Sequence, residues 1–289
     1  MRALGIDVSE QRGLDLVLLD GSDPSRPQAL LRHHLQPADI AGSLREWKPD
    51  VIAIDSPPAW GTRGASRACE RELKRLGIQA FYTPGASRAN HPFYRWMAVG
   101  IEAHRVCAES GFARYQTGSV KGHTLEVFPH ASAVVLAGCV PKASRTRRDK
   151  LGFREPLLAR RGIEARTWRS LDCVDAALAA LTGLLALQGE LAAVGDPDEG
   201  VIVVPVRPLP SEPYRICAGA TASEPQLSLP GEAPCQCDPR CPERTSHRFA
   251  PGHDAKLKSR LWRQVREGEE AVARLKQLGW ERPAKLRQR

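Results

Sequence analysis

No apolar run in this chain reaches the roughly 18 residues that a membrane-spanning helix needs, so an integral membrane protein is not expected. The opening stretch MRALGIDVSEQ lacks the apolar core of a secretory signal. A cytoplasmic location is therefore the expectation, with no membrane partner. No internal repeat recurs, which excludes solenoid architectures. Cys69, Cys107, Cys139, Cys173 and Cys217 stand isolated and are expected to be reduced thiols buried in a core.

With 289 residues, 42% hydrophobic and 26% charged, the chain has room for one large domain or for a domain plus a small module. Its net charge of +9 is uneven: Cys235 to Arg289 hold 14 Lys and Arg against 7 Asp and Glu. A basic tail points to an anionic polymer as partner.

Short apolar runs alternate with helical patterns. RALGIDVS, LDLVLLDG, VIAIDSPP and HTLEVFP read as strands, and GVIVVP as an edge strand. PADIAGSLREWKPD, SRACERELKRLGI, HPFYRWMAVGIEAHRVCAESG and LDCVDAALAALTGLLAL read as helices, and PKASRTRRDK as a basic loop. The pattern predicts an α/β domain over residues 1–204. Residues 205–234 hold seven prolines, which marks 205–233 as a linker, with a separate module over 234–289.

Carboxylates fall at the ends of these apolar elements. Asp7 ends the first strand, Asp55 ends VIAIDS, and Glu126 lies in LEVFP. Asp172 and Asp175 lie three apart, so both occupy one face of an otherwise apolar helix. Two like charges there repel unless a divalent cation neutralises them, the alternative being a helix cap at Asp172 and a solvated Asp175. Strand ends in open α/β sheets are where ligands bind. Carboxylates gathered there suit Mg2+ or Mn2+, and a pair of such ions would suit phosphodiester displacement. Basic residues lie close in sequence: Arg67, Arg71 and Lys74 on one helix face, and Lys142, Arg145, Arg147, Arg148 and Lys150 in the basic loop. They are candidate phosphate contacts.

The helix motif DCVDAALAA resembles that of RuvC-type Holliday junction resolvases. GIDVS, IDSPP, RACERELKRLG, LEVFPHAS and DCVDAALAALTG, in this order, resemble the domain-of-unknown-function four-two-nine family, predicted nucleases of ribonuclease H-like fold. That resemblance implies a mixed sheet flanked by helices. It also implies a metal centre of Asp7, Asp55, Glu126 and Asp175, with Asp172 as the alternate ligand. His130 stands where relatives often carry an acid.

The tail reads C-x-C-x3-C-x5-H-x5-H through Cys235, Cys237, Cys241, His247 and His253. Three thiolates and an imidazole make a closed Zn2+ site. The stretch resembles zinc modules of phage-like and nuclease-associated proteins, which implies Cys235, Cys237, Cys241 and His253 as ligands with His247 as substitute. After it, Lys256, Arg260 and Arg263 form a basic helix stripe suited to phosphates. The expected function is metal-dependent cleavage of DNA or RNA. Two alternatives keep the scaffold. One is a non-catalytic nucleic-acid binder. The other is an ATP-dependent phosphotransferase of the actin and sugar-kinase type, against which DVSEQRG lacks a glycine- and threonine-rich phosphate hairpin.

Overall fold

A computed structural model describes residues 1–217 apart from 24, 63–65, 143–145, 165–167 and 169. The tail ligands Cys235, Cys237, Cys241, His247 and His253, the basic residues Lys256 and Arg260, and Arg145 lie outside the described residues.

The strands are β1 (Arg2–Ser9), β2 (Gly13–Asp20), β3 (Gln28–Leu35), β4 (Val51–Ile54), β5 (Ala113–Arg114), β6 (His123–Val127), β7 (Ala192–Asp196) and β8 (Gly200–Val204). The helices are α1 (Ile40–Trp47), α2 (Ala68–Arg75), α3 (Arg95–Glu109), α4 (Pro129–Ala137), α5 (Arg147–Ala159) and α6 (Leu171–Leu187). All eight strands join one mixed sheet in the order β3-β2-β1-β4-β6-β8-β7, with β5 pairing β6. β1, β2 and β3 form an antiparallel meander. β4 runs parallel to β1, β6 to β4, and β8 to β6.

Alternation along the strands decides which side chains meet which helix. Ala3, Val51, Ala53, Leu125 and Val127 enter the core beneath α6. Leu4, Ile6, Ile52 and Ile54 enter the opposite core with Trp47, Ala103 and Cys107. Both faces of the central strands are covered, which is why VIAI carries no polar residue. Around β7 and β8, Cys69 and Leu73 of α2 pack on Val194 and Ile202.

α6 lies against β1 with almost no clearance. A methyl group built on Gly5 would stand 1.9 Å from the Ala176 carbonyl oxygen and 2.4 Å from the Ala180 nitrogen. The strand and helix backbones thus touch, and only glycine permits this.

Several sequence expectations change. β3 was not anticipated: its QALLRHHL pattern is half exposed and lacks a clean alternation. GVIVVP, expected at an edge, is β8 and lies between β6 and β7. Part of the expected basic loop is helical, because Thr146 and Asp149 cap α5 reciprocally at 3.1 Å. Asp172 does not cap α6; the Ser170 hydroxyl accepts the Asp172 N–H at 3.1 Å.

Residues 205–217, the start of the expected linker, pack on the domain. The Tyr214 N–H donates to the Leu76 carbonyl at 3.0 Å, and Val206 and Leu209 join the α2 core. The proline-rich backbone over these residues is anchored rather than detached. Cys139 and Cys217, expected as free thiols, form a disulfide across 78 residues, whereas Cys69, Cys107 and Cys173 are free and buried. Among the described residues no helix is long and apolar enough to cross a membrane.

Candidate metal centre

Asp7 and Asp55 become neighbours through the parallel pairing of β1 with β4. The Asp55 N–H donates to the Ile6 carbonyl at 2.9 Å, extending the ladder past Ile54. Asp7 shares the alternation of Ala3 and Gly5, so it faces α6. Asp15 on β2 is the antiparallel partner of Asp7 and is likewise buried. The close packing at Gly5 brings the first turns of α6, with Asp172 and Asp175, over these strand ends.

The electrostatics report this convergence. Burial holds the Asp7 carboxyl well above the ordinary carboxylate value, and Asp175, Asp55, Asp172 and Asp15 raise it further. Burial also raises Asp55 strongly, with Asp175 and Glu126 adding and Arg154 opposing. Asp175 is pushed up by burial to about 6 despite Arg154. Desolvation and like charge both penalise the ionised forms. The helix N-terminus partly compensates, since its exposed N–H groups favour negative charge.

Two guanidinium groups enter the cluster. Arg154 of α5 is buried and bonds both carboxylate oxygens of Asp175, Oδ2 at 2.6 Å. Arg12, from the β1–β2 turn, reaches Asp172 Oδ2 at 2.7 Å. Lys150 adds a third positive charge near Asp175. Five carboxylates against three cations leave two negative charges when every acid ionises. The donor set is oxygen only, which fits a hard divalent cation such as Mg2+ or Mn2+.

Glu126 does not enter this cluster. Leu125 and Val127 point beneath α6, so Glu126 projects to the other face of the sheet. There Arg67 grips it bidentately, Nη1–Oε2 at 2.8 Å and Nη2–Oε1 at 2.5 Å. Arg67 also bonds Glu70 at 3.0 Å. Arg67, a candidate phosphate contact, is thus buried and committed to two carboxylates rather than turned to solvent. Arg71 and Lys74 are exposed on α2, Arg148 is exposed on α5, and Lys142 is exposed between α4 and α5.

Residues not anticipated from the sequence hold the centre in shape. His104 of α3 is buried, with Nε2 3.1 Å from the Ser56 carbonyl and Nδ1 3.2 Å from the Thr124 hydroxyl. A carbonyl only accepts, so Nε2 carries a proton. Burial lowers the His104 pKa to about 4. Beside it, a methyl group on Gly100 would meet Ser56 Oγ at 1.8 Å, so α3 clamps the loop that carries Asp55. A cleft opens next to Asp55, walled by Phe81, Trp96, Met97 and Phe128. Phe81 stands edge-on to Phe93 and Trp96, with centroids 5.9 and 6.2 Å away, and both phenylalanines are exposed.

Asp15 had a signal in the sequence. A hairpin turning around residue 11 pairs 7 with 15, so an acid at one strand implies a facing acid at the other. Arg12, Arg154 and His104 had none, because their roles depend on packing between distant elements.

No curated protein and no solved structure matches the chain. The family model for a protein of unknown function, DUF429, matches residues 5–200, from Gly5 through the acidic strand ends and α6 to the start of β8. The match spans the whole acidic centre and most of the sheet, and the chain belongs to the DUF429 family.

Proposed function

We propose that the acidic cluster holds a divalent cation and that the protein is a metal-dependent nuclease of ribonuclease H-like fold. The observation that carries this reading is the convergence of Asp175, Asp55 and Asp172 on buried Asp7, each raising the cost of ionising it beyond that of burial. A fold gains nothing in stability from such crowding, so a ligand that neutralises it is the economical explanation. The antiparallel meander followed by parallel strands, with acids at the ends of β1 and β4, accords with the ribonuclease H-like reading.

Asp7, Asp55 and Asp175 are the ligands in this reading, with Asp172 beside them. Mg2+ or Mn2+, when bound, lowers the pKa of water and polarises a phosphoryl oxygen. The remaining steps belong to the chain. Arg154 holds Asp175 in place. Arg148 and Lys150 of α5 draw the phosphate backbone toward the acids. Cations in the first turn of a helix oppose its dipole, so they are poorly placed for stability alone. Phe81 and Trp96 offer ring faces on which an unpaired base stacks, which favours a single-stranded or unwound substrate. Glu126 supports the site by anchoring Arg67 instead of acting as a ligand. In the same reading the tail adds affinity, with Zn2+ held by Cys235, Cys237, Cys241 and His253 and phosphates met by Lys256 and Arg260.

The test is cleavage of single-stranded, duplex and branched DNA and RNA with Mg2+ or Mn2+, using wild type, Asp7→Asn and Phe81→Ala. Asp7→Asn should lower cleavage by orders of magnitude. Phe81→Ala should weaken single-strand binding about 5- to 150-fold, the equivalent of one lost base stack of roughly 1–3 kcal/mol. Absence of cleavage by wild type on every substrate, or an unchanged rate in Asp7→Asn, refutes the proposal.

A further inference from the structure

A second donor cluster lies beside the acidic centre and has a different chemistry. Cys173 of α6, Asp15 of β2 and His33 of β3 place one sulfur, one oxygen and one nitrogen within 4.8 Å of one another. The Cys173 thiol is 3.2 Å from Asp15 Oδ2 and 3.2 Å from His33 Nδ1, and that same Nδ1 is 3.5 Å from Asp15 Oδ1. Zinc lies about 2.3 Å from sulfur and about 2.0–2.1 Å from nitrogen or oxygen, so tetrahedral donors stand about 3.4–3.6 Å apart. The Sγ–Nδ1 contact falls within a few tenths of an ångström of that spacing, and the carboxylate turns one oxygen to the thiol and the other to the ring, so one small rotation of Asp15 offers either oxygen to a shared metal.

The backbone is arranged to make this triangle. Between the pairs Leu14↔Leu35 and Leu16↔Arg32 the β2–β3 register shifts, so His33 and His34 together face Asp15 alone. His34 adopts a left-handed φ of 57°, a costly conformation for a residue other than glycine. The bulge directs the His33 ring to Asp15, while the His34 N–H donates to Asp15 Oδ1 at 3.3 Å. Such bulges re-aim side chains next to functional sites. The Ser170 hydroxyl is 3.5 Å from Asp15 Oδ2 and braces the carboxylate.

A nucleophilic Cys–His–Asp relay is the competing use of these residue types. It needs the two ring nitrogens to face different partners. Here one nitrogen faces both the thiol and the carboxylate, and Cys173 is fully buried. Three donors of mixed type within 4.8 Å of one another suit a shared metal better than a linear relay.

We infer that Cys173, His33 and Asp15 form a binding site for a thiophilic divalent metal of the zinc class, which borders the acidic centre through Asp15 but does not rest on the nuclease reading. Thiolate and imidazole suit zinc, whereas magnesium is held by oxygen alone. On binding, the Cys173 sulfur loses its proton to solvent and bonds the metal. Three protein donors leave a fourth position, open on the side of the half-exposed His33.

The test uses the full chain under reducing conditions, stripped of metal and titrated with Zn2+ and, for a spectral readout, Co2+. Wild type, His33→Ala, Cys173→Ala and Asp55→Asn are compared. All four retain the tail, whose own metal cancels in the differences. Wild type should bind one more equivalent of Zn2+ than His33→Ala and Cys173→Ala, and both should lose part of the thiolate-to-cobalt absorption. Asp55→Asn should keep both signals, so loss of nuclease activity there leaves this result standing. His33 is half exposed on β3, so His33→Ala decides the matter even where Cys173→Ala fails to fold. Equal Zn2+ stoichiometry and equal cobalt absorption in wild type and His33→Ala overturn the inference.

Discussion

Gly5→Ala tests whether the acidic cluster proposed to hold metal depends on direct contact between strand and helix. The added methyl would lie 1.9 Å from the Ala176 carbonyl oxygen and 2.4 Å from the Ala180 nitrogen. An ordinary carbon–oxygen approach is about 3.3 Å, so α6 must retreat by about 1.4 Å. Backbone atoms cannot rotate aside as a side chain does. A gap of 0.5–1 Å already forfeits roughly a quarter to a half of a dispersion contact, and the clash falls at the most buried part of the core. Overpacking of this kind costs about 3 kcal/mol, at the upper end of its usual range. For a domain of about 200 residues that lowers Tm by roughly 6–12 °C. The same retreat lifts Asp172 and Asp175 away from Asp7, and a misplacement of about 1 Å in a reacting site costs about 100-fold in rate. Gly183→Ala is the control on the same helix. Its methyl would meet Val51 Cγ1 at 3.1 Å and Ala3 Cβ at 3.3 Å, contacts that a shift of a few tenths of an ångström relieves. Melts by circular dichroism and Mn2+ binding by calorimetry should separate the two. A Gly5→Ala protein that melts with Gly183→Ala and binds Mn2+ as wild type does refutes the packing argument.

Four further outcomes follow from the charges. Asp7→Asn should raise Tm at neutral pH in the absence of metal: the folded-state pKa of Asp7 lies above its unfolded value, so its ionisation destabilises the fold as pH rises, and Asn removes that loss. Asp175→Asn should raise Tm less than Asp7→Asn does, because the same relief is offset where buried Arg154 loses its carboxylate partner; equal melts for the two variants contradict this. Glu126→Gln should cost about 3 kcal/mol in denaturant unfolding, since Arg67 keeps only Glu70, and a cost under about 1 kcal/mol would deny that the buried pair anchors β6 to α2. His104 has a folded pKa of about 4 against an ordinary 6.5, so its contribution is complete above pH 6.5 and falls by about 3 kcal/mol as pH drops to 4. His104→Asn should flatten that slope without abolishing it, because His130 is lowered in the same way; identical slopes in melts across this range exclude His104 as a source.

Local pattern alone determined much of the architecture. The apolar runs of β1, β2, β4 and β6, and the helical periods of α1, α2, α3 and α6, were legible because each buries a face with its own period. Asp7, Asp55, Asp172 and Asp175 were legible as charges that an apolar element does not tolerate without a reason. β3 escaped because a half-exposed outer strand has no strong burial pattern, and the disulfide between Cys139 and Cys217 because a 78-residue separation has no local signature.

Tertiary structure decided which acids meet. Alternation in LEVF already set Glu126 opposite Leu125 and Val127, but only the packing of α6 on one face and α2 on the other consigns Glu126 to Arg67. The same packing gathers Asp15, His33 and Cys173 from two strands and a helix. A side chain's direction along its own strand or helix is a local property with a fixed period. The partner it then meets depends on the layer that covers it, and that is settled by burial summed over the whole core.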